Sequence, residues 1–174
     1  VVHAMPGARG DAPHQLAYQQ ADAIVAAWPD WVPVPEHLRA HADRLHAVGG
    51  ISRLTPREGV ERDPNHVVVM AGLGGSTWSP EDWDAVQRAC PEYRFTFLGG
   101  DNHVDDPTEL LQSAGIAVTA GGQNSVADLA ATATPAVILP QPRPFAEQKL
   151  GAKVLDGLAT VRNAFPAPDE WPEL

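Results

Sequence analysis

From Val67 onward the chain alternates short β-rich runs with helical patterns across short connections, and no other feature constrains its fold as strongly. Val67–Ala71 (VVVMA) is a continuous apolar run, as expected of a central strand covered on both faces. Ser79-Pro80-Glu81-Asp82 then reads as a helix start: a capping hydroxyl, a proline at the first helical position, and early acidic residues. Trp83, Val86, Ala89 and Cys90 fall on one face at helical spacing. Tyr93–Leu98 is the next strand, and Asp106-Pro107-Thr108-Glu109 repeats the capping pattern to open a short helix through Ser113. Ile116–Thr119 reads as a third strand, Ser125–Ala133 as a third helix stopped near Pro135, and Ala136–Leu139 as a fourth strand closed by Pro140. A helix from Phe145 to about Leu155 and a last short strand at Ala159–Arg162 complete the series. Strand and helix in strict alternation imply right-handed crossovers and a doubly wound parallel α/β sheet.

The first fifty residues follow another pattern. Val1–Ala4 reads as the end of a strand, Ala12–Gln20 as a helix and Ala23–Ala26 as a strand. A Pro- and Trp-rich stretch from Trp28 to Pro35 precedes a short helix near Glu36–His41 and an extended Leu45–Val48. The expected organisation is therefore the tail of a preceding, N-terminal domain over 1–50, a linker over 51–64, and a ligand-binding domain over 65–174. The start in mid-pattern, and Pro168-Asp169-Glu170-Trp171-Pro172 as a helix entry with no helix after it, suggest a fragment cut at both ends.

Charge and composition narrow the partners. A formal charge of −10 argues against nucleic acid, and against an anionic membrane surface as a broad partner. It does not oppose a small anion, which backbone N–H groups and a helix end can hold without net positive charge. No apolar run approaches the ~20 residues of a membrane helix, and no secretory signal is visible, so a cytoplasmic location is the expectation. The single Cys90 reads as a half-buried helix residue. His37, His41 and His46 read as solvated, the histidines and lone cysteine offer no metal cluster, and the five tryptophans look scattered.

Three strand-to-helix turns could carry chemistry. Gly72-Leu73-Gly74-Gly75-Ser76-Thr77 follows the apolar strand and could bring bare backbone to a phosphate at a helix N-terminus; it lacks a Walker lysine and strict G-x-G-x-x-G spacing. Gly121-Gly122-Gln123-Asn124-Ser125-Val126-Ala127-Asp128 offers two glycines, donors from Asn124 and Ser125, and a carboxylate one turn into the helix. A simpler reading, compatible with this one, is that Asn124 or Ser125 caps the helix and Asp128 only favours its dipole. In Pro140–Gln148, three prolines stiffen the loop, Arg143 supplies a two-pronged cation, and Glu147 and Gln148 open the next helix.

The run AGGQNSVADLAATATPAVILPQPRPFAEQ, with GLGGST upstream, resembles the C-terminal, donor-binding domain of GT-B glycosyltransferases, which is Rossmann-like. It is closest in style to the MurG-like family, which transfers N-acetylglucosamine from UDP-N-acetylglucosamine. The resemblance spans about Val67 to Leu155, with a weaker likeness over Val2–Gly50. It implies that Gly74, Gly75 and Ser76 face the donor diphosphate together with Gly122, Ser125 and Val126. It implies further that Val104 presents its backbone to the uracil edge, that Asp128 stands where the family has a ribose-binding Glu, and that Glu147 and Gln148 contact the donor sugar. Asn124 and Arg143 fall beside that sugar site. The UDP-sugar is then the donor substrate, with no cofactor and no metal. Acceptor site and catalytic base are expected from the N-terminal domain, so no catalytic residue is assigned here and the fragment is expected to be inactive alone. Peripheral membrane association is left open only for the full-length protein. Two alternatives stand beside this reading: a nucleotide-sugar epimerase of related shape, and a non-catalytic donor-binding subunit.

Overall fold

The computed structural model describes all residues except 1, 2, 5, 6, 8, 72–75, 144 and 145. Two parallel sheets form along the chain. The first joins β1 (His3–Ala4), β2 (Ala23–Ala26) and β3 (Leu45–Ala47), with α1 (Ala12–Gln20) and a 3-10 segment (Glu36–Arg44) between the strands. Its small core is Tyr18, Ala21, Ile24 and Leu38. His41, expected to be solvated, is buried against the Tyr18 ring and hydrogen-bonds Gln15 Oε1 and an Arg44 guanidinium N–H. The 3-10 segment turns that face onto α1, which single-residue polarity does not foretell.

The second sheet has five strands in the order β5-β4-β6-β7-β8, all parallel: β4 (Asp63–Met70), β5 (Arg94–Leu98), β6 (Ala114–Thr119), β7 (Ala136–Ile138) and β8 (Thr160–Val161). Helices α2 (Pro80–Ala89), α3 (Thr108–Ser113), α4 (Gln123–Ala131) and α5 (Glu147–Val154) connect them. The expected doubly wound α/β fold is therefore observed. Val67, Val68 and Val69 are all buried, as a continuous apolar run in a two-sided central strand requires. Ser79 caps α2 in a reciprocal capping box with Asp82. Asp106 reaches the main-chain N–H of Thr108 at 3.1 Å to support the start of α3.

One face of this sheet gathers aromatic rings that lie far apart in sequence. Trp83 sits 5.5 Å from Phe97, 5.1 Å from Phe165, 5.3 Å from Trp171 and 5.8 Å from Trp78, ring centre to ring centre. Three of the five apparently scattered tryptophans thus form one cluster. The C-terminal stretch contributes to it, because Pro168–Glu173 does become helical, as a 3-10 turn that lays Trp171 on α2. Cys90 is fully buried in this core rather than half-buried, and burial pushes its thiol pKa up.

The stretch expected as a linker is bound down. β4 begins at Asp63, and Leu54 is buried with Leu111 of α3 and Leu129 of α4. Arg57 pairs with Asp106 at 2.8 Å and Glu109 at 2.7 Å, while the Gln112 amide brackets the Arg57 main chain at 2.8 and 3.1 Å. At Gly49-Gly50, Gly49 has φ +79° and a Cβ on Gly50 would stand 3.1 Å from the Ala127 methyl, so the chain passes close against α4. Among the described residues no helix is long and apolar enough to cross a membrane.

Candidate functional site

Because all five strands run parallel, every strand-to-helix turn leaves at the same edge. The order β5-β4-β6 reverses direction at β4: the chain steps to one side for β5, then crosses back to the other for β6. In doubly wound sheets such a reversal, here between β4 and β6, is the usual ligand position. The two glycine-rich turns are the ones that flank this point.

In the turn after β4, Gly74 and Gly75 lie outside the described residues. Ser76 Oγ accepts from Trp78 N at 2.9 Å, so the hydroxyl shapes the turn's exit. Beside it, Thr77 N donates to Gln141 Oε1 at 2.7 Å.

The turn after β6 is built on Gly121. Its φ is +77°, and a Cβ there would lie 2.8 Å from Ile138 Cγ2, so both conformation and space require glycine. Gly122 is the helix cap, extended at φ −61° and ψ 144°, and its carbonyl accepts from Val126 N at 3.0 Å. Neither Asn124 nor Ser125 is the cap, contrary to the simpler of the two sequence readings. Both lie within the first turn of α4, Asn124 exposed and Ser125 half-buried. Among the described residues no side chain caps this helix, so the N-terminal amides that a helix cannot satisfy internally stand at this edge of the sheet. Gln123 Nε2 donates instead to the Ala27 carbonyl at 3.1 Å, fastening α4 to the first sheet. Asp128, half-buried, accepts a hydrogen bond from Ser52 Oγ at 2.6 Å.

The turn after β7 is tied to the one after β4. Gln148, buried in the first turn of α5, accepts through Oε1 from Gln141 N at 2.9 Å. The buried Gln141 side chain in turn receives the Thr77 N–H, so α5, the proline loop and the exit of the β4 turn form one hydrogen-bonded chain. Helix α5 is described from Glu147, and Phe145, where its start was expected, lies outside the described residues; Glu147 is exposed, and Ala146 before it adopts a left-handed conformation (φ 52°). Arg143 is half-buried, and its carbonyl accepts from Ala146 N at 3.1 Å. Val104, on the turn after β5, is 42% exposed. Its neighbour His103 approaches Asp105 at 3.3 Å in the open.

Ser76, Gly122, Ser125, Val126 and Gln148 thus come from turns of one sheet edge, with Val104 on the turn after β5. Asp128 is held toward the 51–57 connection. Gln141 and Ser52 went unnoticed in the sequence; only Gln141 carried a signal, as an amide between two prolines. A cleft of about 180 Å³ opens at this edge among Thr77, Asp82, Gln141, Arg162 and Phe165. A larger one of about 400 Å³ lies between the connection and α3, lined by Arg53, Arg57, Asp106 and Thr108. Among the described residues no group of three or more His, Cys, Asp and Glu could hold a metal ion.

No family model matches this sequence, and no curated protein sequence does. Its architecture does match solved structures. CalG4, the calicheamicin glycosyltransferase, superposes with a TM-score of 0.60 at 19% identity, over 92% of this chain and 45% of that one. Phytolacca americana UGT2, complexed with UDP-2fluoro-glucose and pterostilbene, gives 0.63 at 18% identity over 91% and 44%. Arabidopsis thaliana UGT89C1, complexed with UDP, gives 0.60 at 14% identity over 98% and 54%. The chain spans about half the length of these enzymes. At such identities the likeness establishes the fold: the chain has the doubly wound, Rossmann-like α/β architecture found in GT-B glycosyltransferases.

Proposed function

We propose that this chain is the donor-binding part of a glycosyltransferase that moves a sugar from a UDP-sugar to an acceptor hydroxyl. The observation that supports the proposal is the reversal of strand order at β4/β6, with the exit of the β4 turn at Ser76 and Thr77 on one side and Gly121, Gly122 and the uncapped start of α4 on the other. Backbone amides and a helix dipole can hold a pyrophosphate in a chain whose formal charge is −10, where a lysine-rich pocket is absent from the motif. They also favour the reaction, since negative charge grows on the departing diphosphate and fixed dipoles stabilise it without reorganising.

Support also comes from the neighbours, two of which were solved with UDP or a UDP-sugar analogue. That they are transferases favours sugar transfer over isomerisation. The MurG-like style of the motif makes N-acetylglucosamine one donor sugar to test, and the glucose analogue in a neighbour makes glucose the other. The acceptor and the base that deprotonates it come from a second domain, so this chain binds donor but does not turn it over alone.

Calorimetric titration with UDP, UDP-N-acetylglucosamine, UDP-glucose and ADP tests the reading. Saturable UDP binding with ADP clearly weaker is expected. Absence of UDP binding at millimolar concentration refutes it.

A further inference from the structure

The connection between the two sheets reaches α4, the helix whose start borders the proposed donor site. Ser52 Oγ–H donates to Asp128 Oδ1 at 2.6 Å, and the same oxygen accepts from Leu54 N at 3.0 Å. A hydroxyl used in both directions has a defined orientation, so its proton points at the carboxylate. Ser52 is itself held: Leu54 is buried between α3 and α4, and Arg57 is clamped by Asp106, Glu109 and Gln112. The hold on Asp128 therefore comes from an anchored segment.

We propose that Ser52 is a positioning residue for the nucleotide's ribose, acting through Asp128. This rests on the donor-site reading above, with Asp128 taken, as the resemblance implies, as the residue that meets the ribose. An aspartate on a helix swings about χ1 and χ2, and a carboxylate free to rotate loses entropy when it grips a diol. With Oδ1 taken by Ser52, the carboxylate plane is set and Oδ2 keeps its lone pairs for a ribose hydroxyl. The short aspartate side chain makes this orientation matter more, since it has less reach to correct a poor angle. The connection thereby does two jobs: it joins the sheets, and it fixes the group that distinguishes a ribonucleotide from its deoxy analogue.

The test compares UDP with 2′-deoxy-UDP by calorimetry on the whole chain. A hydrogen bond to a charged acceptor corresponds to roughly tenfold or more, so the wild-type chain should prefer UDP by about that factor. Ser52→Ala should reduce the preference by roughly threefold or more, Asp128→Asn should also reduce it, and Ser52→Thr, which keeps the hydroxyl, should retain it. A bond that merely fastened the connection would change the melting temperature but leave the UDP to deoxy-UDP ratio alone. Should Ser52→Ala unfold, Ser52→Cys, close in volume and a weaker donor, is read in the same way. An unchanged ratio in Ser52→Ala overturns the role of Ser52 while leaving the donor site standing. A wild-type chain that binds both nucleotides equally overturns the ribose reading itself, and Ser52 falls with it.

Discussion

Replacing Gln141 with Leu separates the hydrogen-bonded chain that ties α5 to the turn after β4. Leucine is close to glutamine in volume and suits a position that is 3% exposed, so no large cavity forms. The Gln141 main-chain N–H to Gln148 survives the substitution; what disappears is the Thr77 N–H to Oε1 bond of 2.7 Å. Thr77 is exposed, so water can replace that acceptor, and the stability cost should be the net value of one neutral hydrogen bond, about 1 kcal/mol. For a chain of this size that lowers the melting temperature by about 2–4 °C. The larger consequence is functional. Without its tether the turn carrying Ser76 must be ordered by the ligand, at a cost of about 1 kcal/mol, or roughly fivefold in UDP affinity. Thermal melts followed by circular dichroism and calorimetric titration with UDP measure the two effects on one preparation. If Gln141→Leu melts lower but binds UDP as tightly as the wild type, the tether plays no part in aligning the two turns, and the reasoning is wrong.

Ala133 closes α4 in the left-handed region (φ 51°), with Thr134 N bonded to Leu129 O and Ala133 N to Ala130 O, so Ala133→Gly should remove a steric penalty and stabilise the chain by about 0.5–1 kcal/mol; a lower denaturant midpoint would refute this. His66 is fully buried, bonded through Nε2 to Thr96 with Nδ1 unpaired among the described residues; burial first, and then Arg94, hold its pKa below the ordinary value, against the pull of Asp63. The unfolded chain therefore takes up this proton near pH ~6.5 while the folded one does not, and stability should decline as pH falls from 7 toward 5, well above the range where the lowered carboxyls of Asp63 and Asp106 titrate; a melting temperature flat over that range in the wild type, or an equal decline in His66→Gln, counts against it.

Much of the fold was legible because its signals are local. A run such as VVVMA, the Ser79-Pro80 start and the prolines that end strands each depend on a few neighbouring residues, and the observed elements begin and end close to where those residues suggest. The errors arose where a distant partner decides. His41 looked solvated by its neighbours in sequence, yet Tyr18, Gln15 and Arg44 surround it. Asn124 and Ser125 are good capping residues, but the extended conformation at Gly122 starts α4 before either can act as cap.

Sequence alone determined that the chain would be a parallel α/β protein, since hydrophobic periodicity and helix caps are properties of short segments. It also placed a glycine in the turn after β6, because backbone with positive φ and a close neighbour tolerates little else. Strand order was a matter for the tertiary structure. That β6 returns to the far side of β4 follows from how helices cover both faces, and it alone sets the ends of β4 and β6 side by side at one reversal of strand order. The same folding brought Ser52 across 76 positions to Asp128, a contact that no spacing or propensity encodes.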